Sequence, residues 1–351
     1  MTPLETLIGE IIASEGPMRL DRYMGLCLGH PAHGYYMSRD PFGLRGDFIT
    51  APEISQVFGE LIGVWCIAAW QAAAAPQVFN LVELGPGRGT LMADMLRTAR
   101  QAMPDFAMAA QVHLVETSPA LCAMQQAALG DRVCWHDTVQ SLPDGPMVLV
   151  ANEFFDAIPI RQFERRAGRW HERVIGIEEG RLVPGLVAAE IGDGGQDGDV
   201  IELAPARDDI ARHIGERLAR QPGAALIIDY GHLQTAPGDT LQAMRKHAFV
   251  PVTEAPGDCD ITSHVDFEAL GKALAQGGAT AYPGITQRDF LLDMGLEQRA
   301  ALLAAKADVP TRDVLNRQMT RLAAPGQMGN LFKIICATSP GLPVPYPFGP
   351  T

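Results

Sequence analysis

The stretch Glu83-Leu84-Gly85-Pro86-Gly87-Arg88-Gly89-Thr90 sets one acid ahead of three glycines at alternate positions. Glycine has no Cβ, so such a turn lets the backbone approach a ligand closely and adopt positive φ. A helix expected to begin at Thr90 leaves free amides in its first turn, and these attract a carboxylate or a phosphate. Dinucleotide sites use G-x-G-x-x-G with a wider last gap. Here the spacing is G-x-G-x-G. An acid at position 83 repels a pyrophosphate and attracts an ammonium group. Amides for a carboxylate and an acid for an amine together suit the amino-acid end of a ligand better than a dinucleotide.

The following strands extend that reading. His113-Leu114-Val115-Glu116 ends in a second acid, and an acid at the end of the second strand accepts hydrogen bonds from both ribose hydroxyls in this kind of fold. Thr117, Ser118 and Pro119 open the next helix. The third strand ends at His136-Asp137, where the Asp137 side chain is placed to meet an adenine amino group. Glu83, Gly85, Pro86, Gly87, Gly89, Thr90, Glu116, Thr117 and Asp137 therefore describe a site for an adenosyl amino acid. S-adenosyl-L-methionine is the cofactor that fits, and methyl transfer the reaction.

The fourth strand runs into Ala151-Asn152-Glu153-Phe154-Phe155-Asp156-Ala157-Ile158-Pro159. Ligands of open α/β sheets bind beyond the carboxyl ends of the strands. Glu153 and Asp156 suit a cationic nucleophile such as a guanidinium through charge-assisted hydrogen bonds. Asn152 stands at the junction of cofactor and acceptor, and Phe154 or Phe155 can wall the site against water. In-line displacement at a sulfonium carbon needs no metal and no covalent enzyme intermediate; alignment supplies most of the acceleration. No G-x-S-x-G nucleophile elbow occurs in the chain.

The elements that must position these residues follow from hydrophobic pattern. Buried-strand signals at Asn80–Leu84, Gln111–Val115, Arg132–His136, Met147–Ala151, Ala224–Asp229 and Leu331–Thr338 alternate with helical stretches, which predicts a parallel sheet. Helices are expected at 3–14, 20–28 and 55–74, and short antiparallel strands at 162–187 with turns at Ala167-Gly168 and Glu179-Gly180. Leu241–Phe249 reads as strand-like, and Asp266 or Ser263 as the cap of a helix over Val265–Gln276. The resulting division is an N-terminal helical and lid segment (1–54), a core (55–159 and 205–232), a β-rich insertion (160–204), a helical acceptor-side region (233–330), and a last core strand with an irregular tail (331–351).

Composition limits the partners. With 28 basic and 41 acidic residues the formal net charge is −13, which disfavours nucleic acid and favours a cationic partner. The six cysteines show no C-x-x-C pair, so reduced thiols are expected and a structural zinc site is not. The N-terminal MTPLETLIGEIIASEG is neither a secretory signal nor a basic transit peptide, and the apolar run from Leu61 to Ala75 is too short to span a bilayer. A cytoplasmic location is expected.

Several segments, in order along the chain, are similar to the MidA-like family of methyltransferases, relatives of the mitochondrial complex I assembly methyltransferase. They are Gly34-Tyr35-Tyr36, Gly46–Ser55, Val82–Gly89, Ala151–Ala157, Ile227–Gly231, Asp260–Phe267 and Met328–Lys333. The resemblance implies a class I methyltransferase fold: a Rossmann-like seven-stranded sheet with an N-terminal helical segment, a β-rich insertion and helical additions. It also implies methylation of a protein arginine, with a respiratory complex I subunit as the candidate acceptor. By position, Glu83, Gly85, Gly87 and Glu116 carry over to cofactor binding, and Asn152, Glu153 and Asp156 to the acceptor side. Gly46, Asp47, Phe48 and Thr50 are candidates for a lid over the cofactor, and His264 for the acceptor channel or a base. A small-molecule acceptor, or cofactor binding without transfer, are the competing readings.

Overall fold

The computed structural model describes residues 2–38, 50–192 and 194–349. Gly46, Asp47 and Phe48 lie outside the described residues. The chain divides into two compact units, one drawn from Ile49–Phe155, Asp208–Gln234 and Val265–Thr351, the other from Met1–Phe48, Asp156–Arg207 and Thr235–His264, taken here by their described residues.

The larger unit holds the parallel sheet. Its strands are β1 (Phe79–Leu84), β2 (Ala110–Val115), β3 (Val133–His136), β4 (Met147–Asn152), β5 (Gly223–His232), β6 (Thr280–Ala281) and β7 (Phe332–Thr338), in the spatial order β6-β7-β5-β4-β1-β2-β3. β3, β2, β1, β4 and β5 run parallel, while β7 is antiparallel to both neighbours. The two-residue strands Val265–Asp266 and Ile285–Thr286 add to β5 and β7. Seven strands is the number the resemblance implies, but Thr280–Ala281 is not among the strands read from the sequence, and β7 runs antiparallel where a parallel sheet is expected. Parallel strands covered on both faces read as continuous apolar runs, as Met147-Val148-Leu149-Val150-Ala151 does.

Side chains alternate between the faces. Leu81, Leu114, Val148, Val150 and Ile228 join one core with α1 (Gln56–Ala72) and α2 (Thr90–Ala102). Val82, Leu84, Val115, Leu149, Ala151 and Ile227 join another with the helix Phe267–Gln276, whose cap is Asp266. The chain lays β2 and β3 on one side of β1 and then crosses to β4 on the other. The carboxyl ends of β1 and β4 thus flank the point where strand order reverses, the usual ligand position in such sheets.

The placement of α2 matters because the glycine loop leads into it. Ser55 caps α1 by accepting from the Val57 amide. On α1, Gly59 and Gly63 face α2: a Cβ at Gly63 would stand 3.1 Å from Met95 Cα, and one at Gly59 2.6 Å from Asp94 Cβ. Glu60, buried between them, accepts from Arg97 of α2 at 2.9 Å and from Arg299 at 2.6 Å, tying α1 to α2 and to the helix Leu296–Ala304.

In the smaller unit the strands Arg161–Arg166, Arg169–Glu178, Arg181–Ala188 and Val200–Leu203 form an antiparallel sheet with Met18–Arg19. The expected turns are present, with Ala167, Gly168, Glu179 and Gly180 all at positive φ. Leu4, Ile8, Ile12 and Met24 of the two N-terminal helices pack with Ile160 and Ile175. The stretch read as one strand over Leu241–Phe249 is instead a hairpin of Gln242–Arg245 and Ala248–Val250, completed by Asp260–Thr262. Its turn places Lys246 and His247 at φ 51° and 61°. Such turns usually carry Asn or Gly, so the residue types concealed it. The helix Pro104–Ala109 was likewise not expected. No helix among the described residues is long and apolar enough to cross a membrane.

Replacing Gly63 by valine is expected to push α1 away from the α2 backbone and cost about 1–3 kcal/mol. Urea denaturation of the variant against the natural chain checks this, through a lower midpoint at unchanged slope.

Candidate cofactor and acceptor site

β1 delivers its terminal acid into the interior. Glu83 is 3% exposed, and by alternation it shares the face of Leu81, the one covered by α1 and α2. The Met92 amide, in the first turn of α2, donates to its carboxylate. Burial outweighs that hydrogen bond and pushes the Glu83 pKa up to about 8. Its Oε2 has no hydrogen-bond partner among the described residues. Asn152, at the end of β4, lies on the same face, two residues beyond Val150, which pairs with Glu83. It is buried, and its Oδ1 also lacks a partner among the described residues. Two unmet buried oxygens at neighbouring strand tips, each costing about 1–3 kcal/mol, fit the chemistry of an ammonium-bearing ligand.

The loop between Glu83 and α2 is bent as its glycines allow. Gly85, Gly87 and Gly89 have φ of 61°, 54° and 82°. The Phe154 ring lies over Gly85, where an added Cβ would come within 2.9 Å of Cδ2. Pro86 is buried, and the Thr90 hydroxyl donates to Glu53 Oε1 at 2.5 Å, with Arg88 3.5 Å from the other Glu53 oxygen. Thr50 is buried just before the short helix Ala51–Ile54 that carries Glu53.

Past β2, Glu116 Oε1 accepts the Thr117 and Ser118 amides at 2.9 and 2.8 Å, and Oε2 accepts from Gln125 at 3.2 Å. Burial raises its pKa against these three bonds. Thr117 is exposed, and so is Asp137 after β3. Ahead of Asp137, the His136 ring pairs with buried His113 at 2.9 Å, and burial lowers the pKa of both rings.

On the acceptor side, Glu153 takes a left-handed backbone, φ 52°, a conformation that a non-glycine residue holds only when its surroundings enforce it. Its amide donates to Ile228 O, and its Oε1 accepts from the Ala51 amide at 3.1 Å and from Asn152 Nδ2 at 3.2 Å. The next turn is held by Asp229, fully buried on β5, which accepts the Phe155 amide at 3.0 Å and the Tyr230 amide at 2.9 Å. Phe154 lies against Gly85 of the glycine loop, whereas Phe155 is fully buried in the core.

Asp156 and His264 belong to the smaller unit. Both are organised there by Arg207, a buried cation whose guanidinium donates to Asp156 O at 3.1 Å, Ser263 Oγ at 2.6 Å and His264 O at 2.8 Å. Thr240 Oγ1 accepts the His264 amide at 2.9 Å.

Sequence reading passed over Arg207, Gln125 and Trp135. Arg207 gives no local signal, because its partners lie about fifty residues away along the chain. Gln125 gives one: it occupies the middle of the stripe Leu121, Gln125, Leu129, where helical spacing calls for an apolar residue.

Residues 61–285 match the family described as "Putative S-adenosyl-L-methionine-dependent methyltransferase". The chain belongs to that family. It is 36% identical over 362 residues to "Protein arginine methyltransferase NDUFAF7, mitochondrial" of Danio rerio, covering 94% of this chain and 85% of the relative. The Homo sapiens protein of the same name is 35% identical, with 95% and 82% covered. A solved structure described as a "likely methyl transferase from Burkholderia thailandensis bound to S-adenosyl-homocysteine" superposes with a TM-score of 0.84 at 28% identity, over 97% of this chain and 92% of that one. The fold is thus that of a class I methyltransferase, and the chain is an S-adenosylmethionine-dependent methyltransferase. The Danio rerio and Homo sapiens relatives are named mitochondrial, so the comparisons lend nothing to the cytoplasmic location expected from the sequence.

Glu83 makes stability depend on pH in a defined direction. Its folded pKa, about 8, stands above the ordinary 4.5, so the unfolded chain binds fewer protons between those values. Stability of the ligand-free protein must fall as pH rises through that window. The Glu83→Gln variant is expected to lose this fall and to melt above the natural chain at pH 8. Equal melting curves at pH 5 and pH 8 in both proteins would remove the buried-acid assignment.

Proposed function

We propose that the protein methylates arginine side chains of a protein substrate. The observation that carries this is the 36% identity, over 94% of the chain, to a protein named for that activity. The net charge of −13 supports it, since a negative surface favours a cationic acceptor segment.

Within this reading Glu83 takes the amine of S-adenosylmethionine, the amides at the start of α2 and the glycine loop face its carboxylate, and Glu116 takes the ribose hydroxyls. Asp137 is assigned to the adenine and Thr50, with Gly46, Asp47 and Phe48, to a lid. The cofactor supplies a methyl on a sulfonium carbon, already activated for in-line displacement. The protein's task is the nucleophile. A guanidinium stays protonated at any ordinary pH, and its nitrogen lone pair is delocalised. A carboxylate that accepts two of its N–H groups fixes its plane and takes up the proton released on transfer. Glu153, held in its strained backbone, is assigned that role, with Asn152 orienting it. Asp156 and His264 are assigned to the acceptor side by their motifs. A subunit of a respiratory complex is the acceptor to test first, on the resemblance noted above.

Cofactor affinity follows from the same acid. Free Glu83, with a pKa of about 8, and a free α-amine, with a pKa of about 8, carry two protons below that pH. The bound pair shares one. Binding therefore releases a proton, and affinity for S-adenosylhomocysteine is expected to rise about tenfold per pH unit from 6 towards 8 and to decline above it. Glu83→Gln flattens the rise and weakens binding at pH 8 by about 10- to 100-fold, as read by calorimetry.

The acceptor is tested by transfer of labelled methyl from S-adenosylmethionine into a respiratory-complex fraction, followed by acid hydrolysis and amino-acid analysis. Methylarginine is expected, with Glu153→Gln lowering kcat by about 100-fold or more while affinity for S-adenosylhomocysteine stays within about threefold. Label on a small molecule would overturn the protein acceptor. A Glu153→Gln chain as active as the natural one would overturn the assignment of Glu153.

A further inference from the structure

Gln125 lies in α3 (Pro119–Leu129), and its side chain is completely buried. A buried amide must place both of its ends against partners, and here the partners come from three separate segments. Nε2 donates to the Gly87 carbonyl at 2.7 Å and to Glu116 Oε2 at 3.2 Å. Oε1 accepts from the indole Nε1 of Trp135, on β3, at 2.8 Å. An indole nitrogen only donates, so the oxygen of the amide must face Trp135 and its nitrogen must face Gly87 and Glu116. Trp135 thereby sets the direction in which Gln125 points its protons.

The consequence falls on Glu116. Two backbone amides, of Thr117 and Ser118, hold one oxygen of its carboxylate. The terminal torsion of a carboxylate is broad and turns both oxygens together, so the bond from Gln125 adds a third restraint on it, from the opposite oxygen. With Gln125 both oxygens are fixed, and the same amide fixes the peptide plane that leaves Gly87. The last glycine of the loop is also in reach: a Cβ at Gly89 would lie 3.6 Å from Gln125 Cα and 3.3 Å from Leu129. One face of α3 is thus fitted to the glycine loop while its amide spans to the acid after β2.

We propose that Gln125 is a positioning residue for the nucleoside half of the cofactor, oriented by Trp135 and acting through Glu116. The proposal rests on the reading of Glu116 as the ribose acceptor. A preset carboxylate meets two hydroxyls without first being ordered, so its benefit shows only with a ligand that has those hydroxyls.

The test compares S-adenosylhomocysteine with its 2′,3′-dideoxyribose analogue by calorimetry on the full chain. Gln125→Leu is expected to weaken S-adenosylhomocysteine about tenfold and to leave the analogue within about threefold. Trp135→Phe, which keeps a ring but removes the N–H, is expected to give a smaller loss of the same pattern. It also serves if the leucine variant does not fold. In methyl transfer, KM for S-adenosylmethionine should rise while kcat at saturation stays within about threefold. Equal losses for both ligands would mean a merely structural role, and no loss for either would mean none; each overturns the proposal. If the natural chain fails to bind S-adenosylhomocysteine at all, the cofactor reading falls with it. If it binds both ligands equally well, Glu116 is not the ribose acceptor and the proposal is overturned on that ground.

Discussion

A carboxylate at the tip of the central strand, taken out of water and left half-satisfied, is the constraint around which the larger unit is arranged. Glu83 receives one amide from the first turn of α2, and burial still pushes its pKa up to about 8. For that amide to arrive, α2 must start within a few residues of β1, which requires the tight glycine loop. For α2 to lie where it does, α1 must approach it closely, which requires Gly59 and Gly63 on the facing side. The cost of a buried acid in the ligand-free protein is of the kind accepted at binding sites, where unmet polarity is matched only by the ligand.

The strand order explains why the other polar groups collect near this acid. β1 and β4 lie side by side where the strand order reverses, so Gly85, just after β1, and Asn152, the last residue of β4, emerge next to each other. Phe154 closes over the glycine loop and Phe155 turns into the core, with Asp229 holding the amide between them. Glu153 is left with a backbone that side chains rarely adopt, held by its hydrogen bonds to Ile228 and Ala51. Strain at the residue after a buried strand is a local cost that fixes where its carboxylate sits.

Within the smaller unit a different interaction has the equivalent place. The Arg207 guanidinium gathers the carbonyls of Asp156, Ser263 and His264. A planar, permanently charged donor with five N–H groups can join segments that have no sequence proximity. The two motif residues expected on the acceptor side are thus held through their backbones, which leaves their side chains to be set by other contacts.

Much of this is legible in the sequence. The strands of the sheet were readable because both faces are covered, so apolar residues run without interruption through β1, β4 and β5. The loop Gly85–Gly89 was readable because only glycine meets its backbone angles comfortably, and the acids at 83 and 116 because they end apolar strands. The hairpin at Lys246-His247 was not, since its turn uses residues that usually avoid positive φ. Nor were Arg207, Trp135 and the full part played by Gln125. Local pattern determines which residues are buried and where strands stop, because those depend on neighbours in the chain. Which buried amide meets which distant carbonyl depends on how strands stack and helices pack across them, and that is decided only when the tertiary structure brings segments far apart in sequence within hydrogen-bond reach.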